Sequence, residues 1–157
     1  MCLLEAGIKL KARAAGLLLT LLAVPFPAAA TLGEEVGSVS TDQKQLQAAL
    51  QVTSTGKFAV HELRLASGIT VKEYVSPAGM VFALSWQGPY LPDLQQLLGR
   101  YFEQYAGAVR DKGAAPGARA IDESGLVVQS GGRMRAFFGR AYIPQMLPRG
   151  VLAAEIQ

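Results

Sequence analysis

The only histidine of the chain, His61, lies on one strand-like run and Glu73 lies on the next, across the loop Ala66-Ser67-Gly68. A carboxylate beside an imidazole can orient a general base or offer two ligands to a metal. Either chemistry needs more than the pair. No Ser, Cys or second His stands at nucleophile or ligand spacing to complete it. The same residues also read as a cross-strand ion pair at a sheet margin, where charged groups end an apolar face. His61 and Glu73 are thus the candidates for a small hydrolase or metal-dependent enzyme, set against a purely structural pair.

A second constellation gathers positive charge late in the chain. Arg133, Arg135, Arg140 and Arg149 are interleaved with Phe137, Phe138 and Tyr142. Such a mixture suits a small anionic ligand, lipid headgroups or an acidic partner. The plainer alternative leaves the guanidinium groups in water while their stems cover apolar sheet surface. Trp86, followed by Gly88-Pro89 and Tyr90, reads either as a binding lip or as core. The expected binding residues are therefore Arg133, Arg135, Arg140, Tyr142 and Trp86. The glycines match no phosphate-binding loop or dinucleotide fingerprint, and no cofactor or metal site is expected.

These residues must be positioned by strands. Phe58 to Leu65, Ile69 to Val75 and Met80 to Trp86 are apolar runs separated by Ala66-Ser67-Gly68 and Ser76-Pro77-Ala78-Gly79, both typical of hairpins. A two-residue turn at Ser67-Gly68 would set Glu62 opposite Glu73, a like-charge pair. A three-residue loop with Gly68 in the left-handed position instead pairs Glu62 with Lys72, His61 with Glu73, Leu63 with Val71 and Leu65 with Ile69, and is the register expected. In the second hairpin a type I turn pairs Val75 with Met80, Glu73 with Phe82, Val71 with Leu84 and Ile69 with Trp86. Leu63, Leu65, Ile69, Val71, Val75, Met80, Phe82, Leu84 and Trp86 then share one face, and Glu62, Arg64, Thr70, Lys72 and Ser85 point away.

A helix opens at Pro92-Asp93, and Leu94, Leu97, Leu98, Tyr101, Phe102 and Tyr105 keep the three-four spacing of one buried stripe. Laying that stripe on the sheet contributes on the order of 10 kcal/mol before entropy is counted. A short N-terminal helix is expected from the Ser40 to Gln43 capping box through about Leu50, with a break at Thr53 to Gly56 and a strand over Lys57 to Leu65. Gly113 to Ala120 reads as a loop. A last hairpin joins Leu126–Gln129 to Met134–Tyr142 around Ser130-Gly131-Gly132, and Val151 to Ile156 forms an edge strand or an ordered tail. The fold class is α+β: an antiparallel sheet of about five strands with one main amphipathic helix on one face.

The segment before this domain has the order of a secretory leader. Lys9, Lys11 and Arg13 precede the apolar run Leu17 to Val24, and Pro25-Phe26-Pro27-Ala28-Ala29-Ala30 follows. Ala28 and Ala30 suit the cleavage pocket, so residues 1–30 are expected to be a signal peptide cut between Ala30 and Thr31, leaving 31–157 as one domain. The stretch before Lys9 is long enough to suit a start downstream of Met1. The competing reading is an uncleaved anchor, because no charge falls between Arg13 and Glu34. Two prolines end the strongly apolar part too early for a comfortable span. Cys2, the only cysteine, leaves with the leader. Removing the three leader bases and Glu5 from totals of 15 and 12 leaves 12 basic and 11 acidic residues, so the basic pI implies no nucleic acid.

The chain also resembles a known family. An Ala-rich leader is followed by Val60-His61-Glu62-Leu63, Gly68-Ile69-Thr70-Val71-Lys72-Glu73-Tyr74, the run Gly79 to Pro89, Pro92-Asp93-Leu94, Ser130-Gly131-Gly132-Arg133-Met134-Arg135 and Tyr142-Ile143-Pro144. Over essentially the whole mature chain this is similar to the exported bacterial family catalogued as domain of unknown function 2844. The resemblance implies a small exported protein of Gram-negative bacteria, and carries no activity or catalytic residue with it. The expectation is a non-catalytic periplasmic or secreted binding or accessory protein whose partner is an envelope protein or a small anionic ligand. The two alternatives are the His61 and Glu73 enzyme and an envelope lipid binder, with the membrane otherwise met only through an uncleaved leader.

Overall fold

A computed structural model of the chain describes residues 32–38, 48–111, 119–123 and 125–157. The leader, the cleavage position at Ala30 and Thr31, and the Ser40 to Gln43 cap lie outside the described residues.

Seven strands build one antiparallel sheet: β1 (Ala49–Ser54), β2 (Ala59–Arg64), β3 (Thr70–Val75), β4 (Val81–Gly88), β5 (Arg119–Glu123), β6 (Leu126–Arg133) and β7 (Ala136–Tyr142). Their order across the sheet is β1-β2-β3-β4-β7-β6-β5. Two helices, α1 (Leu94–Leu98) and α2 (Phe102–Asp111), are joined by a 3-10 turn at Gly99–Tyr101. The class is α+β, but it is mostly sheet. Two of the strands lie where the sequence suggested otherwise. β1 occupies the expected end of the N-terminal helix and the expected break, and β5 takes in the last residues of the expected loop. Both are edge strands. Most of β1 is exposed on either face, so it shows no alternation of apolar and polar residues and is held by backbone pairing with β2.

The first hairpin has the expected register, with His61 opposite Glu73, Glu62 opposite Lys72 and Leu63 opposite Val71. Gly68 adopts φ 84°, which the tight three-residue loop requires. The second hairpin differs. Val71 faces Trp86 and Glu73 faces Leu84, whereas Val75 faces Val81, so the register shifts between Tyr74 and Val75. Two extra residues explain the difference: Gly79 at φ 79° lengthens the turn so that the Ser76 N–H donates to the Met80 carbonyl, and a β-bulge in β4 re-aims Phe82 away from the helix. Phe82 therefore leaves the face expected for it and packs with Phe58 and Tyr74 on the other side, ring centroids 6.0 and 6.3 Å away. Val81 takes its place beside Leu84 and Trp86.

Two cores result. On the first face, Leu63, Val71, Val75, Leu84, Trp86 and Ala141 are closed over by Leu94, Leu97, Leu98 and Ala108, with Tyr101, Phe102 and Tyr105 against them. The helix starts where the sequence places it, because the Asp93 carboxylate accepts hydrogen bonds from the backbone N–H of Gln95 (2.9 Å) and Gln96 (3.1 Å). Leu32 is fully buried in the same core, and its N–H donates to the Leu97 carbonyl at 3.1 Å. On the second face, the smaller cluster of Phe58, Tyr74, Phe82 and Ala83 is covered by Val151 and Ile156.

The remaining differences concern the C-terminal half. Ser130, Gly131 and Gly132 lie within β6, and the β6–β7 turn is at Met134-Arg135, with Arg135 at φ 64°. Gly131 faces Phe138 and Gly132 faces Phe137; at Gly132, with φ 141°, a Cβ would come within 2.5 Å of the Ala136 carbonyl oxygen and 2.7 Å of the Phe137 Cα. Val151 to Ile156 takes the second of its two expected forms, an ordered tail that runs as a strap with a 3-10 turn at Ala153–Glu155. Among the described residues, no helix is long and apolar enough to cross a membrane.

Candidate functional site

Antiparallel register lines up side chains of one face in rows that run across the strands. On the helix side, one row reads Val52, His61, Glu73, Leu84, Ala141 and Val128. The pair singled out for chemistry is therefore embedded in an apolar row. Glu73 is fully buried and His61 half-buried. Burial disfavours the imidazolium and lowers the His61 pKa from its ordinary 6.5. Its Nδ1 has no hydrogen-bond partner among the described residues. Nor do three His, Cys, Asp or Glu side chains gather anywhere among those residues as metal ligands. The next row on this side is Leu50, Leu63, Val71, Trp86 and Gly139. Trp86 lies over Gly139 so closely that a Cβ there would come within 2.3 Å of its ring. It is core first, at 2 % exposure.

The second face is arranged differently. Its first row, Val60, Tyr74, Ala83, Tyr142 and Val127, is apolar and lies on the side of the strap. Its middle row, Gln51, Glu62, Lys72, Ser85, Arg140 and Gln129, is polar across six strands. The third, Arg64, Thr70, Gln87, Phe138 and Gly131, carries the 58 % exposed Phe138. Over the middle and third rows, beside the strap, opens a groove of about 500 Å³. Thr70, Lys72, Ser85, Gln87, Phe138 and Arg140 line it, and Ile156 and Gln157 form its strap wall.

Side chains of the sheet hold the strap down. The Tyr74 hydroxyl donates to the Gln157 carbonyl at 2.5 Å and accepts from the Gln157 N–H at 2.8 Å. Arg140 donates through Nη1 to the carbonyls of Ala153 (2.7 Å) and Ile156 (3.3 Å), and through Nε to Gln129 Oε1 (2.8 Å). Lys57 donates to the Gly150 carbonyl at 2.9 Å. Arg140 is thus a structural guanidinium at the end of the groove with most of its donors engaged.

The arginines singled out in the sequence are not one cluster. Arg140 faces the groove, whereas Arg133 and Arg135 are exposed at the tip of the β6–β7 hairpin, around the 89 % exposed Met134. Arg135 lines a shallower hollow with Gly68, Pro89 and Phe137. Tyr142 packs against the second core, and Trp86 reaches the groove only from the sheet. Lys72, Ser85 and Gln129 were not singled out, although the meander already turned Lys72 and Ser85 away from the helix. The missing signal was the pairing of β4 with β7, which sets Arg140 beside Ser85.

These features define a small sheet protein that shuts one face with a helix and leaves a strapped groove on the other. By sequence, the chain belongs to the family described as Protein of unknown function (DUF2844), whose model matches residues 28–156. No curated protein and no solved structure matches it.

Proposed function

We propose that the protein is exported to the periplasm or beyond and acts there as a non-catalytic binding protein, with the strapped groove of the second sheet face as its site. The groove carries this reading. Its volume lies in the range that takes small molecules, and it combines an exposed aromatic ring with a few hydroxyl, amide and cationic groups. The enzyme reading is weaker because His61 and Glu73 lie on the opposite face, in an apolar row, away from the groove. Export is supported by the leader and by Leu32, which enters the core two residues after the expected cut.

A photo-reactive phenylalanine at position 138, compared with the same group at the exposed Val52 on edge strand β1, tests the site in cells. An adduct formed at 138 and absent at 52 is expected. Equal labelling at both positions, or none at 138, removes the groove as the site. The mass of the protein recovered from the periplasm tests the other half, with Thr31 expected as its first residue.

A further inference from the structure

We infer that the groove is built for an anionic amphiphile: a single carboxylate on an aliphatic or aromatic body, with the carboxylate on Lys72 and the body against Phe138 and the strap. This rests on the groove being the binding site and adds the chemistry of what fills it. Charge decides the head. The charged side chains lining the groove are those of Lys72 and Arg140, and no acidic side chain lines it. They flank Ser85 in the polar row, so their backbones stand about 10 Å apart across two strand spacings. Arg140 is occupied by Gln129 and two strap carbonyls. Lys72 is the cation left to offer donors.

Lys72 has a carboxylate next to it that is already taken. Glu62 stands opposite Lys72 in the row, yet its Oε1 accepts from Arg64 Nε at 2.6 Å. Lys72 itself makes no ion pair among the described residues. The ammonium of a half-buried lysine beside a groove, with the acid opposite it paired to another base, favours an incoming anion. Beyond the head, most of the exposed lining is carbon, and Phe138 is exposed where a core aromatic would be covered. Thr70 and Gln87 lie between Lys72 and Phe138 in the rows, so a ligand reaching from one to the other crosses hydroxyl and amide groups before meeting the ring.

Titration of the purified protein, residues 31–157, with decanoate tests this, using the emission of Trp86, the only tryptophan, together with calorimetry. Decanol and acetate serve as body-only and head-only probes. Saturable decanoate binding is expected, with both single-feature probes weaker by about ten-fold or more, since a charge-assisted hydrogen bond contributes on the order of one such factor. Lys72→Met should lose about ten-fold for decanoate while leaving decanol unchanged, and Lys72→Arg should recover most of the loss. Decanol binding as tightly as decanoate, or a Lys72→Met variant with unaltered affinity, would overturn the assignment of the head. If decanoate fails to bind while position 138 still labels specifically in cells, the ligand class is wrong and the groove stands. If both fail, the groove reading falls with it.

Discussion

The two faces of the sheet are cut from the same strands and meet opposite fates. On the helix side, the rows through Leu84 and Trp86 are apolar apart from His61, Glu73 and, at β6, Ser130, and the helical segment from Leu94 to Asp111 closes over them. On the other side one row is apolar and strapped, one is polar, and one is open, so closure stops halfway across the face. The first face holds the fold together through continuous burial, the dominant favourable contribution. The second is held by a smaller cluster that buries Val151 and Ile156, together with a few directed hydrogen bonds from Tyr74 and Arg140 to backbone of the strap, each of modest net strength.

The division is open to attack in several ways. The largest effect should come from Leu84→Ala, which empties a fully buried position under the helix and is expected to cost about 2–5 kcal/mol in denaturant unfolding. Lys72→Met in the polar row should change stability by no more than about 0.5 kcal/mol. Comparable losses at the two sites would erase the distinction between faces. Gly139→Ala comes next. Its Cβ would meet Trp86 at 2.3 Å and the Gln129 carbonyl at 2.8 Å, so overpacking should cost roughly 1–3 kcal/mol and shift the emission of Trp86.

A smaller loss should follow Tyr74→Phe. Removing the hydroxyl releases Gln157 and should cost about 0.5–1.5 kcal/mol, with amide exchange accelerated in residues 150–157 and unchanged in the helix. Uniform acceleration over the whole chain would mean that the strap is not a separate unit. The gentlest probe is pH. His61 is held neutral by burial, with a folded pKa below 6.5, so the unfolded chain binds the proton first. Its contribution to stability is fully present above pH 6.5 and is lost as pH falls from there through the folded pKa. His61→Gln should flatten that part of the unfolding midpoint against pH, and a slope identical to that of the parent protein would assign the effect elsewhere.

How much of this was legible in advance depends on the range over which each feature is decided. The first hairpin was read correctly because a local conflict, Glu62 against Glu73, rules out the competing register, and Gly68 supplies the loop that avoids it. Helix onset was legible from Asp93 and the leucine stripe for the same reason. The second hairpin was not, because the bulge at Phe82 packs its ring on Phe58, just before β2 and distant in the chain, and on Tyr74 of β3. β1 escaped detection because an edge strand exposed on both sides leaves no period in its side chains. The final hairpin was displaced for a related reason: Ser130-Gly131-Gly132 looks like a turn, yet these small residues sit in β6 opposite Phe137, Phe138 and Gly139.

The candidate site followed the same rule. His61, Glu73 and the arginines could be named one by one, but a groove is a relation between β3, β4, β7 and the strap that no short window contains. Local sequence therefore determined the meander, the helix and its buried stripe, since turn geometry, capping and periodicity act between near neighbours. Only the tertiary structure decided that β4 pairs with β7, that Arg140 turns to the strap and Lys72 to the groove, and that Phe82 changes face. Those outcomes depend on burial and pairing between segments far apart in the chain, where packing rather than local preference sets the lowest free energy.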